Sequence, residues 1–206
     1  MSGKTPSVKG NLVVGAVVAA RRHRDQGRIS VEALEARLSK DAILLIDQKV
    51  HIASWYPIQV FCELLELNWE LGGRRDPAFM RREGERSADR LFDSNIYPQL
   101  RYAQNTERAE SRDALIRQSR LITSITGSLY NFLEVEVDVD PKRGDELRIV
   151  YGNARLFSEA LRFTTEGFMN QINARQKSSR RWVSERVAPD RILFKMALPS
   201  RLSGKD

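Results

Sequence analysis

The 206-residue chain contains one cysteine, Cys62, and two histidines, His23 and His51. A single cysteine excludes an internal disulfide framework and every metal or iron–sulfur site that needs several thiolates. Two histidines leave little material for a histidine-based metal centre. The longest uncharged apolar stretch, residues 12–20, is 9 residues long, whereas a membrane-spanning helix needs about 20. We therefore expect a cytoplasmic protein without a transmembrane segment or a metal site. The sequence shows no catalytic constellation, so we also expect a protein that is not an enzyme.

The formal net charge is +7, and its distribution is uneven. Residues 1–30 carry a net charge of +5 and residues 172–206 a net charge of +6, around an acidic body of −4. Basic ends of this kind suit nucleic acid or another anionic surface. The residues that would make such contacts are Arg175, Lys177, Arg180 and Arg181. No nucleic-acid-binding motif accompanies them, so solvated surface charge is the favoured interpretation.

The first 126 residues show helical periodicity. Ser30 has the position of a helix N-cap, and Pro57 that of a first-turn proline. Gly72 and Gly73 follow the most apolar helix and suit its C-terminal cap. The predicted helices cover residues 12–20, 30–48, 58–71, 79–92 and 101–126.

From residue 133 the sequence pattern changes from helical periodicity to strict alternation of apolar and polar residues. Apolar side chains alternate with acidic ones over residues 133–140, which is typical of a half-buried strand. Residues 141–144 suit a hairpin turn, and a second alternating segment follows through Tyr151. A helix over residues 154–173 and a hairpin over residues 182–198 complete the pattern. The sequence therefore predicts one α+β domain with an antiparallel sheet.

Two features admit both a structural and a functional interpretation. The run Trp55-Tyr56-Pro57 suits a hydrophobic staple at the start of a helix, and it also suits an aromatic lip on a ligand pocket. Cys62 suits core packing better than reactivity, because no histidine adjoins it in the sequence.

The order of these segments resembles a little-characterised bacterial family that is related to the heme-nitric-oxide-binding domains. The pieces that carry the resemblance are Val8-Lys9-Gly10, the Trp55-Tyr56-Pro57 run before a leucine-rich helix, and the late hairpin–helix–hairpin. The arrangement is also similar to 4-vinyl-reductase-type ligand-binding domains and to TRAPP subunits. The resemblance implies helices packed on one face of a twisted antiparallel sheet, in a single domain over residues 8–199. Residues 1–7 and 200–206 are then flexible termini.

The sequence departs from the heme-binding members at the residues that would hold heme. Those members use a histidine on a helix between the Trp-Tyr-Pro region and the late hairpin, and this chain has no histidine after His51. Their Tyr-x-Ser-x-Arg motif is matched by Tyr151, Asn153 and Arg155, with asparagine in place of serine. The cysteines that 4-vinyl-reductase-type domains carry near the C-terminal hairpin are absent here. On this basis we expect heme to be unlikely and no cofactor to be present.

The resemblance implies a non-enzymatic sensory or adaptor module that binds a small apolar ligand, a protein partner or both, and that can form a homodimer. Ligand binding would act by shifting a conformational equilibrium that a partner recognises. Two alternatives remain open: a protein-interaction domain with a filled core, and an anionic-surface binder that uses the basic ends. The expected ligand-binding residues are Trp55, Tyr56, Phe61, Leu65, Tyr151 and Arg155.

Overall fold

A computed structural model describes residues 5–94, 112–138 and 146–197 of the chain. Within them lie seven α-helices and six strands, with the helical part first. The helices and the last four strands follow the order predicted from the sequence, whereas the short strands at residues 7–9 and 55–57 were not predicted. The helices are α1 (Gly10–Asp25), α2 (Val31–Glu35), α3 (Lys40–Asp47), α4 (Ile58–Gly73), α5 (Pro77–Asp93), α6 (Arg112–Leu129) and α7 (Glu159–Arg175). The strands are β1 (Ser7–Lys9), β2 (Trp55–Pro57), β3 (Glu134–Asp138), β4 (Glu146–Gly152), β5 (Val183–Ala188) and β6 (Arg191–Ala197).

The helix predicted over residues 30–48 is divided into α2 and α3. Ser30 caps α2 as expected, since its side chain accepts a hydrogen bond from the Ala33 amide at 3.2 Å. Ser39 interrupts the segment with an extended backbone and caps α3 by accepting from the Ala42 amide. The single helix was therefore wrong, because a second serine offers the backbone a new N-cap that competes with continued helix.

Helix α4 is the apolar helix predicted over residues 58–71, but its ends differ from the prediction. Pro57 lies in strand β2 and precedes the helix as its N-cap residue. Gly72 and Gly73 continue the helix, and Arg74 forms the left-handed cap with a φ of 49°. The cap therefore falls on an arginine, a residue that seldom adopts this conformation.

Two antiparallel sheets form within the described residues. Strands β1 and β2 pair with Val8 opposite Tyr56, and the larger sheet has the order β3-β4-β6-β5. The inward face of the two central strands, which packs under the helices, is apolar and aromatic, and the edge strand β5 adds the buried Ser184. This packing confirms the predicted α+β class. The acidic side chains of β3 lie exposed, and the predicted turn at 141–144 falls outside the described residues. The buried side chains of the central strands are Leu147, Ile149, Tyr151, Ile192, Phe194 and Met196.

Helices α5 and α7 cross in direct backbone contact. A Cβ placed on Gly84 would lie 1.9 Å from the Thr164 carbonyl oxygen, and one on Gly167 would lie 1.9 Å from the Arg81 carbonyl oxygen. Beside the crossing, the buried Glu166 carboxylate accepts hydrogen bonds from the Arg81 guanidinium at 2.5 Å and from the Ser184 amide at 3.0 Å. These contacts join α5, α7 and the edge strand β5 into one unit.

No helix among the described residues is both long and apolar enough to cross a membrane. The predicted helix over 79–92 is confirmed as α5, and the described part of the helix predicted over 101–126 lies in α6. Residues 101–111 of that prediction lie outside the described ranges.

Candidate functional site

A cavity of about 50 Å³ lies in the core between the helices and the large sheet. A space of this size holds roughly three to five water molecules. Five helices (α1, α4, α5, α6 and α7) and the central strand β4 all contribute to its walls. Its apolar and aromatic wall is formed by Leu12, Ala16, Phe61, Leu65, Ile122, Leu129, Tyr130, Tyr151, Leu161, Phe168 and Met169.

The hydroxyl groups in this wall have defined hydrogen-bond roles. Thr126 donates to the Ile122 carbonyl oxygen at 2.9 Å, and its oxygen lies 2.9 Å from the Tyr151 hydroxyl oxygen. Because a threonine hydroxyl has one proton, Tyr151 must be the donor of the second bond. The Tyr151 ring also packs against Phe157 and Phe194, with centroids 5.8 and 4.9 Å away. The phenol is therefore fixed in position.

Both cavity tyrosines are neutral phenols at ordinary pH. Burial raises the pKa of Tyr151 well above its usual value. Burial also raises the pKa of Tyr130, with a further contribution from the neighbouring Tyr151. Met169 on α7 adds a fully buried thioether to the same wall. Phenol and thioether groups are the side chains of this cavity that can ligate a heme iron.

The polar edge of the cavity is formed by Asn68, Glu83 and Arg90. The Asn68 amide oxygen lies 3.0 Å from Nε2 of His23, which is buried on α1. His51, the other histidine, is exposed at the end of the loop before β2. Neither histidine lines the cavity.

Three of the six residues expected at a ligand site share this cavity: Phe61, Leu65 and Tyr151. The other three lie elsewhere. Trp55 is 43% exposed, with the Lys9 ammonium 4.1 Å from its ring centroid. Tyr56 is half-buried, and its hydroxyl oxygen accepts a hydrogen bond from the His51 amide at 2.8 Å.

The motif Tyr151-Asn153-Arg155 is not assembled at one place. Tyr151 points into the core, whereas Asn153 donates to the Glu134 carboxylate at 2.8 Å on strand β3. Arg155 is exposed in the short 3₁₀ turn Ala154–Leu156 and does not line the cavity. The reason is local: Asn153 adopts a φ of 55°, which turns the chain away from the sheet.

The expected polyanion-binding residues do not form one free basic patch. Arg175 pairs with Asp89 at 2.5 Å and packs over the Phe92 ring. Lys177 lies just beyond the end of α7 with a φ of 57°, and Arg181 is exposed. Arg180 is half-buried, and its carbonyl oxygen accepts a hydrogen bond from Asn173.

Cys62 is buried on α4, as core packing predicts. Its sulfur lies 3.4 Å from the Leu156 carbonyl oxygen, and burial raises the pKa of the thiol despite an opposing hydrogen bond from Ser158. A protonated buried thiol is not a reactive nucleophile.

Sequence reasoning missed the cavity residues contributed by the later helices. Ile122 and Met169 belong to ordinary amphipathic stripes, so their spacing does not distinguish a cavity wall from packed core. Tyr130, directly after α6, was the one available signal, since it is an aromatic residue with a polar end next to a predicted strand.

Solved structures align with this chain over nearly its whole length. An H-NOX protein from Shewanella woodyi, bound to IWP-051 in the Fe(II)CO ligation state, has a TM-score of 0.55 at 15% identity, covering 95% of this chain and 97% of that one. A mutant H-NOX protein from K. algicida in the Fe(II) unliganded state has a TM-score of 0.51 at 14% identity, covering 94% and 98%. This chain has the H-NOX fold. The resemblance to heme-nitric-oxide-binding domains is therefore confirmed at the level of fold.

A third H-NOX-fold match comes from work on modulating heme redox potential through porphyrin distortion. It has a TM-score of 0.51 at 14% identity and covers 92% of this chain and 99% of that one. Neither a protein-family model nor a curated protein sequence matches the chain.

The expectation that heme is unlikely was wrong. The structures that share the fold are H-NOX proteins described by their Fe(II) states and heme redox potential. That expectation depended on the missing histidine after His51, yet tyrosine and methionine also serve as heme ligands in proteins. The core cavity presents both residue types, so the missing histidine does not exclude heme.

Proposed function

We propose that this chain is a non-enzymatic sensory domain that holds heme in the core cavity and signals by a change in helix arrangement. The observation that carries the proposal is the position of the cavity, whose walls come from five helices and the central strand. Any change in its occupant therefore acts on most of the fold at once. When bound, heme would supply an iron centre able to bind a small diatomic molecule.

Met169 is the residue best suited to hold the iron. Its thioether carries no proton and needs none removed, whereas burial keeps Tyr130 and Tyr151 protonated. Met169 also lies on α7, which is fixed to α5 by the glycine crossing. The apolar wall, including Phe61 and Leu65, would contact the faces of the macrocycle and exclude water.

The cavity must open to receive an occupant of this size. Pockets for small molecules and cofactors measure about 300–1,000 Å³, against about 50 Å³ in the present packing. Helices α5 and α7 share a backbone contact and the ion pair between Arg81 and the buried Glu166, so they would move as one unit. Opening of the cavity therefore separates this unit from α1 and α4. Heme binding would shift the population toward this open arrangement, which a partner would recognise.

Hemin titration of the purified protein tests the proposal. We expect one equivalent to bind with a sharpened Soret band, and Met169→Leu, which nearly conserves volume, to change the band position. Ala16→Leu adds bulk inside the cavity wall and should weaken hemin binding at least tenfold. Ala174→Leu makes the same exchange at an exposed position on α7 and should bind as wild type does.

Two results would contradict this proposal. Hemin binding that is equal in Ala16→Leu and Ala174→Leu would place the heme outside the cavity. A folded protein that leaves the hemin spectrum unchanged would exclude heme binding altogether.

A protein partner and a homodimer belong to the same proposal, because a sensory domain needs a recipient of its signal. Native mass spectrometry with and without hemin measures the oligomeric state directly. We expect the distribution of species to differ between the two samples, and an unchanged monomer in both would argue against the homodimer.

A further inference from the structure

A second cavity of about 470 Å³ opens between α1, α4 and α5, on the other side of the polar edge formed by Asn68, Glu83 and Arg90. We call it the arginine cleft. Its basic residues are Arg22, Arg28, Arg86 and Arg90. Its volume lies within the range typical of small-molecule sites.

The positive charge of the arginine cleft is largely uncompensated. Within the described ranges, Glu83 is the one acidic residue of its wall, and it pairs with Arg86. Among the described residues, no carboxylate lies within ion-pair distance of Arg22, Arg28 or Arg90. A concave site with clustered charge of one sign raises the local concentration of oppositely charged ligands.

One ring nitrogen of a buried histidine in the wall has no hydrogen-bond partner among the described residues. His23 is 4% exposed, and its Nε2 faces the Asn68 amide oxygen at 3.0 Å. An amide oxygen only accepts, so Nε2 carries the proton of this bond. The other ring nitrogen, Nδ1, is buried and has no hydrogen-bond partner within the described part of the chain. In this tautomer Nδ1 carries no proton and can only accept a hydrogen bond. The anionic group of a ligand is therefore recognised by the arginines and not by His23.

The rest of the wall is apolar. Val18 on α1 is 45% exposed and faces the cleft, where Val14 and Phe79 continue the apolar surface. A bare phosphate or sulfate ion would contact the arginines and leave this surface in water. A molecule with one anionic group and an apolar body would cover both parts.

We propose that the arginine cleft binds a small amphipathic molecule whose single carboxylate or phosphate group lies among Arg22, Arg28 and Arg90. Its apolar body covers Val14, Val18 and Phe79. This inference goes beyond the proposed function, because the cleft needs no heme and lies outside the core cavity.

Isothermal titration of the heme-free full-length chain with octanoate, 1-octanol and inorganic phosphate tests the ligand class. We expect octanoate to bind at least tenfold more tightly than the other two, since only octanoate satisfies both the arginines and the apolar wall. Equal binding of 1-octanol would show that charge is not recognised. Equal binding of phosphate would show that the apolar wall contributes nothing, and either result overturns the proposal.

Two variants locate the site, with a matched control. Arg90→Gln removes one charge and should weaken octanoate binding about tenfold or more, and Val18→Glu places a carboxylate in the cleft and should abolish binding. Arg82→Gln changes an exposed arginine on the same helix outside the cleft and should bind as wild type does. Circular dichroism verifies that all three fold. Wild-type affinity in Val18→Glu would place octanoate elsewhere and refute the site.

Carboxylates of a heme in the core cavity are an alternative source of the same anion, because Asn68, Glu83 and Arg90 border both spaces. We therefore repeat the octanoate titration on hemin-loaded protein. Retained octanoate affinity supports a free amphipathic ligand. Complete loss of octanoate binding, with weaker hemin binding in Arg90→Gln, would assign the arginines to heme and overturn the proposal.

Discussion

The crossing of α5 and α7 predicts that Gly84→Ala destabilises the protein although alanine is the better helix former. The new Cβ would lie 1.9 Å from the Thr164 carbonyl oxygen and 2.8 Å from the Phe168 amide nitrogen, whereas real Cβ contacts essentially never fall below 3.0 Å. The two helices must therefore separate by about 1 Å or more. Neither opposing atom can rotate away, because both belong to the backbone of α7.

The expected change in the free energy of unfolding combines two destabilising contributions with one stabilising contribution. Overpacking of a tight core contact costs about 1–3 kcal/mol, and the helix propensity of alanine returns about 1 kcal/mol. The separation also stretches the hydrogen bonds from Arg81 and Ser184 to the buried Glu166, and an unsatisfied buried group costs about 1–3 kcal/mol. We expect a net loss of about 2–4 kcal/mol in the free energy of unfolding. In a domain of this size that lowers Tm by roughly 5–15 °C.

Urea unfolding at constant pH measures this loss, and the chain offers a matched control. Gly127 lies exposed in α6, and a Cβ added there would have no atom within 4 Å, so Gly127→Ala should raise stability by about 0.5–1 kcal/mol. Gly167→Ala should resemble Gly84→Ala, and the double variant should lose less than the sum of the two because the helices separate only once. If Gly84→Ala were as stable as Gly127→Ala, the backbone contact between α5 and α7 would be refuted.

Three further predictions concern titratable groups. Partial burial raises the pKa of Glu159, but hydrogen bonds from Arg162 and Arg186 outweigh this and lower it. The ionised Glu159 therefore stabilises the protein at neutral pH, and this stabilisation is lost as the pH falls below the ordinary glutamate pKa near 4.3. In urea unfolding at several pH values, Glu159→Gln should reduce the fall in the free energy of unfolding below this pH. An unchanged fall would contradict the assignment. Burial raises the pKa of the Cys62 thiol, so iodoacetamide at pH 8 should label it only after unfolding, and rapid labelling of native protein would disprove its burial. Burial raises the pKa of Tyr151 well above its usual value, so Tyr151→Phe should leave the tyrosine absorbance titration near pH 10 unchanged, and loss of a normal titration would show an exposed phenol.

Periodicity predicted most of the fold, because each element buries one face. Alternation over Leu147, Ile149 and Tyr151 predicted the buried face of β4, and the helical periodicity of residues 58–71 predicted α4. The helix boundaries were predicted less well. They depend on single capping choices, such as Ser39 between α2 and α3, whose energy of about 1 kcal/mol is small beside that of packing.

Three residues expected at the site line the core cavity: two share helix α4, and the third, Tyr151, lies on strand β4. Phe61 and Leu65 are one turn apart on α4, so local sequence placed them on one face, and both line the core cavity. Trp55 and Arg155 were expected beside them from aromatic character and motif order. Their positions depend instead on the pairing of β2 with β1 and on the left-handed turn at Asn153, which bring neither side chain to the cavity.

The error about heme has a physical cause that extends beyond this chain. A count of histidines shows only which residue types a sequence contains. Iron binding depends on which donor atoms the fold brings together in one apolar space. Met169 lies within an ordinary helical stripe, and Tyr130 precedes the first strand of the large sheet. The fold places both in the wall of one core cavity, where burial keeps the phenol protonated and leaves the thioether as the donor that needs no proton removed. A missing histidine thus limits which ligand could hold an iron, and the three-dimensional arrangement of the remaining donors decides whether one can be held at all.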